Sequence, residues 1–479
     1  SSSKDAAYFE QVRSLKLSTA KIAAFGSTRR ASSTAAEDQL LVRLVESKAD
    51  VTCIFGKSWD LHVTDALRVS LEENLAMISE SVRFLREATG KPVFFDAEHF
   101  FDGFRAQADY ALKAVGAAVE GGAARIVLCD TNGGSLTQHI VAGVRAVREK
   151  FPKMALGIHV HNDGGLAVAN TLVAVEEGCT QVQGTINGVG ERCGNVDLTT
   201  VIANLELKLG KRCLPEGKLQ LLRDTSRSVW EHMNMAGPSN QPYVGDSAFA
   251  HKGGIHVSAM QRNPLTYEHV QPEKVGNTRR VLISEMSGRS NVLAKLEHRY
   301  PALRDPALVA KILEDIVARE NQGYSYEAAD GSFDLLVRRH LGAWRPAFKL
   351  DYYRVHGLGT AGEGTDVVEA TLKLQVGDEQ RLCAAEGNGP VDALSHALMQ
   401  ALTPAFPVLR QVQLTDYKVR VVNSADGTSA RVRVLIQFHY DHRDFSTIGV
   451  HENVIEASWR ALVEAIEYVL LSEEERSKH

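Results

Sequence analysis

The sequence predicts an α/β protein in which a TIM (β/α)8 barrel, lacking two of its strands, precedes a helical linker region and a C-terminal α+β domain. Between residues 21 and 186, six short apolar runs alternate with helical stretches, a pattern typical of parallel strands joined by helices. After about residue 348 the pattern changes to sets of alternating strands, each followed by a helix. These patterns predict a barrel over residues 1–212, a linker over residues 213–346 and an α+β domain over residues 347–479.

Each of the six runs is nearly continuous in apolar residues, as expected for a parallel strand that helices cover on its outer face. Each run ends in polar residues or glycine, at the strand end where barrel enzymes keep their chemistry. A doubly wound open sheet is the rival architecture, but it concentrates its ligand at one switch point. Polar residues at every strand end therefore favour the barrel. The predicted strands are Lys21–Gly26, Val51–Gly56, Pro92–Ala97, Arg125–Asp130, Ala155–His161 and Gln181–Ile186.

The strand count falls short of a closed barrel, which needs eight strands. The chain opens on a predicted helix, Asp5–Leu15, where a barrel normally begins with a strand. Two strands are therefore missing from the pattern.

The C-terminal region is predicted to contain two similar halves. The first half has strands Asp351–His356, Val367–Val376 and Glu379–Ala384 and a helix over Pro390–Leu402. The second has strands Val408–Val422, Ser429–His439 and Thr447–Val450 and a helix over Glu452–Leu470. This weak βββα repeat predicts a small two-layer ligand-sensing domain.

The composition indicates a globular protein of two or three domains. The chain has 479 residues, of which 44% are hydrophobic and 24% charged, and its formal net charge is -5. That charge gives no overall attraction to nucleic acid or to an anionic membrane, and no apolar stretch is long enough to span a bilayer. We therefore expect a soluble protein whose partners are small molecules or copies of itself.

Cysteine usage predicts a reducing compartment, and hence a cytoplasmic location. The six cysteines are scattered and include no Cys-x-x-Cys pair. The polar N-terminus lacks the apolar segment of a signal peptide. It also lacks an initiator methionine, so we expect the native start to lie elsewhere.

His159 and His161 are the first candidate metal ligands. They lie two residues apart on a predicted strand, so their side chains share a face, and at the strand's C-terminal end that face looks into the barrel mouth. Imidazole is a ligand for several divalent metals, so the metal's identity stays open. The alternative is a pair of buried, hydrogen-bonded histidines. Asn162, Asp163 and the later Asn195 favour the metal site, with the Asn195 amide as a further oxygen donor.

Two long motifs then reveal a family resemblance. Gly157–Asn170 (GIHVHNDGGLAVAN) and Gly184–Asn195 (GTINGVGERCGN) resemble the signature of acyl-CoA-condensing metallolyase barrels, which include the 2-isopropylmalate, homocitrate and citramalate synthases. Phe25–Arg30, Phe55–His62 and Phe95–Gly103 extend the match. Together with residues 248–256 and the C-terminal half, these segments look most like the citramalate synthase branch.

The resemblance implies a Claisen-type condensation of acetyl-CoA with pyruvate on a divalent metal, Mg, Mn or Zn, which polarises the keto acid. His159, His161 and Asn195 match the family's metal site. Glu98 matches the carboxylate beside the acetyl group, with a salt bridge at the barrel rim as the alternative. Thr131 matches the hydroxyl that binds the oxo-acid carboxylate, with turn capping as the alternative.

The same resemblance implies a homodimer that is regulated by its end product. His251 and Tyr267 match a pair that reaches a neighbouring subunit's active site and helps to hydrolyse the thioester intermediate, although Tyr267 would also suit an ordinary packed aromatic. The segments Gly387–Ala393 and Gly449–Trp459 resemble the regulatory domain of the 2-isopropylmalate synthase group. The implied effector is a branched-chain amino acid, here isoleucine.

The chain departs from the family at its first strand, where members carry Asp-Thr-Thr-Leu-Arg-Asp-Gly. That run supplies an arginine for the developing negative charge and an aspartate for the metal, and it is absent here. The simplest account is a missing N-terminal segment of about 40 to 50 residues, the first two βα units. Loss of such charge stabilisation typically lowers the catalytic rate by about 10²-fold or more. We therefore expect this chain to have reduced activity without those two residues.

Two alternatives to citramalate synthesis stay open. A 2-isopropylmalate synthase would differ only in the oxo-acid pocket, most of which belongs to the missing strands. A non-catalytic paralogue would keep the barrel as a dimer scaffold and sense an amino acid. His159, His161, Glu98 and Asn195 argue against the paralogue, and the missing arginine and aspartate argue for it.

Overall fold

A computed structural model describes residues 3–15, 17–251, 253–281, 299–358, 367–422, 430–441 and 443–476. The chain divides into two compact units. The first comprises Ser1–Ala248 and Pro272–Thr278, and the second comprises Phe249–Gln271 and Arg279–His479. None of the described helices is long and apolar enough to cross a membrane.

The first unit contains a six-stranded parallel sheet in sequential order, which confirms the predicted partial barrel. Within the described residues β1 and β6 are its edges. The last predicted strand was too long, because the chain turns into a 3-10 helix at Ile186–Gly188 soon after β6. The strands are β1 (Ala23–Ser27), β2 (Val51–Lys57), β3 (Val93–Glu98), β4 (Arg125–Asp130), β5 (Leu156–Val160) and β6 (Gln181–Gln183).

Helices alternate with these strands, as the sequence predicted. The first of them ends at Val12, earlier than expected. The helices of this unit are α1 (Ser3–Val12), α2 (Gln39–Glu46), α3 (Leu71–Thr89), α4 (Phe100–Gly121), α5 (Thr137–Lys150), α6 (Ala167–Glu176), α7 (Leu198–Leu207) and α8 (Leu222–His232).

Helix α3 shows how local sequence sets these elements. The Ser70 side chain accepts a hydrogen bond from the Glu73 backbone N–H at 3.0 Å, which caps the first turn. Gly90 ends the helix in the left-handed conformation, with φ at 63°. One face of the helix joins the hydrophobic core, through Ile78, Val82 and Leu85.

Strand alternation separates an apolar face from a polar one. Ile54, Phe95, Ile126 and Leu128 are fully buried in the core shared with the helices. Because successive side chains point to opposite faces, the residues next to them point to the other face of the sheet. That inner face carries polar and thiol side chains, namely Cys53, Asp96, Cys129, His159 and Gln183.

The second unit contains the predicted βββα repeat. Two antiparallel sheets have the orders β11-β10-β9 and β12-β13-β14, and each is followed by a helix that packs on it. The described elements are β7 (Ala250–His251), α9 (Gly254–Arg262), β8 (Arg280–Val281), α10 (Pro306–Asn321), α11 (Asp330–His340), β9 (Lys349–Leu358), β10 (Val367–Val376), β11 (Glu379–Gly387), α12 (Pro390–Leu402), β12 (Gln413–Val421), β13 (Val432–Tyr440), β14 (Arg443–His451) and α13 (Val454–Arg476).

Some predicted boundaries in this unit were wrong. The strand expected to begin at Val408 begins at Gln413, because Pro407–Gln411 forms a 3-10 helix. The last strand begins at Arg443 rather than Thr447, since Phe445 extends the buried face of β14. The expected strand start at Ser429 lies outside the described residues.

Candidate active site

The histidine pair lies where β5 ends. His159 is in the strand and His161 follows it directly. Their rings are 5.2 Å apart and inclined at 60°, and their Nε2 atoms are 3.3 Å apart. Two imidazole nitrogens therefore converge on one point at the C-terminal edge of the sheet.

The surroundings of His159 favour its neutral form. Burial and the neighbouring His161 lower the pKa of His159 to about 4. Its Nδ1 lies 3.1 Å from Oε1 of Gln183, an oxygen that can only accept. Nδ1 is therefore the protonated nitrogen, and Nε2 keeps the lone pair that a metal ligand needs.

Asn195 is held beside this pair by a tight loop. A β-bridge joins it to His161, and the Asn162 N–H donates to the carbonyl of Gly194 at 2.9 Å. Gly194 has φ at +89°, and a Cβ there would lie 2.0 Å from the carbonyl oxygen of Gly188. The loop therefore requires glycine at this position.

The amide of Asn195 leaves its oxygen available. Its Nδ2 donates to the carbonyl of Val189 at 3.0 Å. Its Oδ1 is buried and has no hydrogen-bond partner among the described residues. A buried acceptor without a partner is costly, and a cation or a bound water would satisfy it.

His159, His161 and Asn195 offer part of the set of ligands that a divalent ion needs. Two neutral imidazoles and an amide oxygen are ligands that such ions accept. In the part of the chain that the structure describes, no group of three or more His, Cys, Asp or Glu side chains could hold a metal. An ion here would take its remaining ligands from water, from substrate or from a carboxylate outside this set.

Glu98 ends β3 and pairs with a lysine. Lys57 is its register partner on β2, and the Lys57 Nζ contacts Oε2 of Glu98. The two side chains are only 17% and 22% exposed, so the ion pair is largely shielded from solvent. This is the contact that the salt-bridge alternative for Glu98 anticipated.

Thr131 directly follows β4, which pairs with β3, the strand that Glu98 ends. Its Oγ1 accepts a hydrogen bond from the backbone N–H of His99 at 2.9 Å, so its hydroxyl hydrogen remains able to donate. The Arg192 guanidinium donates to the Thr131 carbonyl at 2.8 Å and to both carboxylate oxygens of Asp163. Arg192 thereby ties together the segments that follow β4, β5 and β6.

His251 and Tyr267 belong to the second unit and have different partners. His251 is buried, and its Nε2 lies 3.3 Å from Oε1 of Glu268. Glu268 is itself held by a bidentate ion pair with Arg279, at 2.5 Å for each contact. Tyr267 is 44% exposed and stacks on the ring of His256 at 4.1 Å.

Sequence reasoning missed a polar network on the inner face. Asp96 Oδ1 accepts from Sγ of Cys53 and from Nε2 of Gln183, each at 3.1 Å. Burial raises the pKa of Asp96 to about 6, although both donors favour the carboxylate. The available signal was the spacing, since Asp96 precedes Glu98 by two residues and so shares its face.

A second missed group lies at the ends of β2 and β3. The rings of His62 and His99 are 3.9 Å apart, and Trp59 stacks on His62 at 5.3 Å. His62 opens a π-helix, His62–Leu67, an element that is common at functional sites. Burial and the neighbouring His99 lower the pKa of His62.

A parallel sheet whose polar side chains gather at its C-terminal edge is the arrangement of a (β/α) barrel enzyme, and the family models agree. The HMGL-like model matches residues 8–229, and the homocitrate synthase post-HMGL domain-like model matches residues 243–321. The LeuA allosteric (dimerisation) domain matches residues 327–470.

Individual relatives give a narrower assignment. The (R)-citramalate synthase of Geobacter sulfurreducens is 50% identical over 99% of this chain and 90% of its own length. That of Aquifex aeolicus is 47% identical over 98% of this chain and 89% of its own. The chain belongs to the (R)-citramalate synthase family, as its motifs had indicated.

More distant proteins also match. The 2-isopropylmalate synthase of Pseudoalteromonas atlantica is 30% identical over 87% of this chain and 78% of its own length. Among solved structures, the HMG-CoA lyase of Bacillus subtilis has a TM-score of 0.41 at 18% identity, over 48% of this chain and 76% of that one.

Proposed function

We propose that this chain catalyses the condensation of acetyl-CoA with pyruvate to give (R)-citramalate and free CoA, as a step towards isoleucine. The observation that carries the proposal is the 50% identity to an (R)-citramalate synthase over nearly the whole of both chains. The converging imidazoles of His159 and His161 agree with it, since the HMGL-like and LeuA families are dependent on a divalent metal. Mg, Mn and Zn are the candidates for the ion.

The residues that would hold this ion are His159, His161 and Asn195, through two Nε2 atoms and one amide oxygen. When bound, a divalent ion would polarise the keto group of pyruvate and offset the negative charge that develops on its oxygen. The protein's own contribution is to keep both imidazoles neutral and to aim them at one point.

Glu98 is proposed to orient the acetyl group and to accept a proton from its methyl carbon. Its contact with Lys57 fixes the carboxylate at the end of β3. Thr131, at the end of the next strand, is proposed to donate its hydroxyl hydrogen to the carboxylate of pyruvate. The keto acid and the acetyl group would thus be bound at adjacent strand ends.

His251 and Tyr267 are proposed to act in thioester hydrolysis at the site of a partner copy. The contact between His251 and Glu268 supports a role for this imidazole in accepting a proton from water. The match to a dimerisation domain supports a homodimer with allosteric control. Isoleucine is the proposed effector, and residues 213–346 and 347–479 are the proposed linker and regulatory domains. The cytoplasmic location inferred from the cysteines stays a prediction.

The proposed reaction is tested by measuring CoA release with pyruvate and with 2-oxoisovalerate as acceptors, and by identifying the product by mass spectrometry. We expect citramalate from pyruvate, and turnover at least 10-fold faster than with 2-oxoisovalerate. The exposed thiols of Cys193 and Cys213 require a blank without acceptor, because exposed thiols react with thiol reagents. Faster turnover with 2-oxoisovalerate would assign a 2-isopropylmalate synthase. Isoleucine binding without any turnover would assign the sensing paralogue.

A further inference from the structure

We propose that Asp96 is a positioning residue that acts through Gln183 to fix the tautomer of His159. The three side chains form one chain of contacts, in which Gln183 lies 3.1 Å from Asp96 on one side and 3.1 Å from His159 on the other. The inference rests on the proposed metal site and adds residues that the family resemblance did not name. Its basis is the direction of each hydrogen bond.

The amide of Gln183 has one donating end and one accepting end. Its Nε2 donates to Oδ1 of Asp96 at 3.1 Å and also lies 3.8 Å from Sγ of Cys53. Turning the amide over would place its oxygen against the oxygen of Asp96, so the two acceptors would repel. Asp96 therefore selects the orientation in which Oε1 of Gln183 faces His159.

The orientation of Gln183 in turn fixes the proton on His159. Because Oε1 only accepts, the Nδ1 atom of His159 must carry the hydrogen. The lone pair then lies on Nε2, the atom that points to the same place as Nε2 of His161. The other tautomer would aim an N–H group at the metal position and could not bind a cation.

Asp96 is well placed to hold this arrangement. Its side chain is 4% exposed, so water does not compete for the carboxylate. The Cys53 thiol donates a second hydrogen bond to the same Oδ1, at 3.1 Å, and burial raises the pKa of that thiol, which keeps it a donor. Bonds to a charged acceptor are stronger than neutral ones.

The contact also depends on the curvature of the sheet. Asp96 lies on β3 and Gln183 on β6, with β4 and β5 between them. Their side chains meet across the inner face, so the network connects strands that do not pair with each other. Partners of this kind typically change metal affinity by about 10- to 100-fold when they are removed.

The alternative role for Asp96 is a purely structural one, in which it stabilises the fold and does not act on His159. We distinguish the two roles with Asp96→Leu, which keeps the size and removes the acceptor, and Asp96→Asn, which keeps a neutral acceptor. The readouts are the affinity for Mn²⁺ alone by calorimetry, the His159 tautomer by ¹⁵N NMR of histidine-labelled protein, and Tm. Asp38→Asn is the control, since Asp38 is a buried carboxyl of the same unit that caps α2.

We expect Asp96→Leu to weaken Mn²⁺ binding by about 10- to 100-fold and to populate the tautomer with hydrogen on Nε2. Asp96→Asn should recover much of both effects, and Asp38→Asn should show neither. Unchanged affinity and an unchanged tautomer in Asp96→Leu, or an equal loss in Asp38→Asn, would overturn the inference. Neither readout requires citramalate formation, so failure of the proposed reaction would leave the result interpretable.

Gln183→Met provides a second test, in which Asp96 is unchanged. If Asp96 acts through Gln183, this variant alone should weaken Mn²⁺ binding about as much as Asp96→Leu does, and adding Asp96→Leu to it should cost no further affinity. Unchanged Mn²⁺ affinity in Gln183→Met, or a further cost equal to that of Asp96→Leu alone, would also overturn the inference.

Discussion

Nε2 of His159 lies 3.3 Å from Nε2 of His161, and each nitrogen has the other as its hydrogen-bond neighbour. Two neutral imidazoles can share only one hydrogen at such a contact, so at least one lone pair points towards the other ring. A cation between the two would replace this single weak bond with two ligand bonds.

Replacing His161 with alanine should weaken Mn²⁺ binding by more than about 100-fold. Removing a metal ligand lowers metal affinity more than removing a residue that only contacts a ligand. Calorimetry with the metal alone measures the effect. The control is His139→Ala on α5, whose Nδ1 only accepts from the backbone of Leu136. Equal Mn²⁺ affinity in the two variants would rule out a metal site at this pair.

Replacing Glu98 with glutamine should lower kcat by about 10²- to 10⁴-fold while changing the KM for pyruvate little, since proton abstraction is lost and the shape is kept. Steady-state rates of citramalate formation measure this. Glu177→Gln, which breaks a surface ion pair with Arg145, is the control. If Glu98 forms only a salt bridge with Lys57, Tm will fall and kcat will not.

Asp96 should make stability depend on pH. Its pKa in the folded protein, about 6, is above its ordinary value of 3.8, so the folded state holds the proton more tightly. Its contribution to stability is therefore complete below about pH 4 and is lost as pH rises to about 6. The groups facing it are the thiols of Cys53 and Cys129 and the Gln183 amide.

The variant Asp96→Asn isolates this effect from the other carboxyl groups, which are common to both proteins. We expect the difference in unfolding free energy between variant and wild type to shift by up to about 3 kcal/mol in favour of the variant between pH 4 and pH 7. Urea unfolding at several pH values measures it. A difference that does not vary with pH would contradict the raised pKa.

Replacing Gly194 with alanine should lower stability by about 1 to 3 kcal/mol, because a Cβ would clash with the Gly188 carbonyl and φ is positive. The same change should weaken Mn²⁺ binding, since Gly194 sets the position of Asn195. Gly134→Ala is the control, because nothing lies within 4 Å of a Cβ there. Thermal unfolding measures stability, and calorimetry measures Mn²⁺ affinity. Equal stability and equal affinity in the two variants would contradict the requirement for glycine at position 194.

Isoleucine should raise Tm and slow turnover. A ligand at 100 times its Kd stabilises the folded state by about 2.7 kcal/mol. Differential scanning fluorimetry with isoleucine, leucine and valine separates the effectors, with alanine as the control. No change in Tm or turnover with any of the three branched-chain amino acids would remove the proposed regulation.

The sequence was a good guide wherever the pattern is local. Apolar runs of strand length placed β2, β3 and β4 within about one residue of where they lie. The element order of the C-terminal repeat was also predicted, because strand alternation and helix periodicity are both set by neighbouring residues. Boundaries failed where a short 3-10 turn, such as Pro407–Gln411, interrupts a run of strand-forming residues.

The sequence by itself determined the strand-helix alternation, the histidine spacing of two and the motifs that assign the family. The tertiary structure alone brought Asp96 to Gln183 across two intervening strands. It also directed Nδ2 of Asn195 to the Val189 carbonyl, which leaves the amide oxygen on the other side. The physical reason is that spacing along a strand fixes only which face a side chain takes. Which groups meet on that face depends on the curvature of the sheet, and the direction of each hydrogen bond depends on the partners that burial leaves within reach.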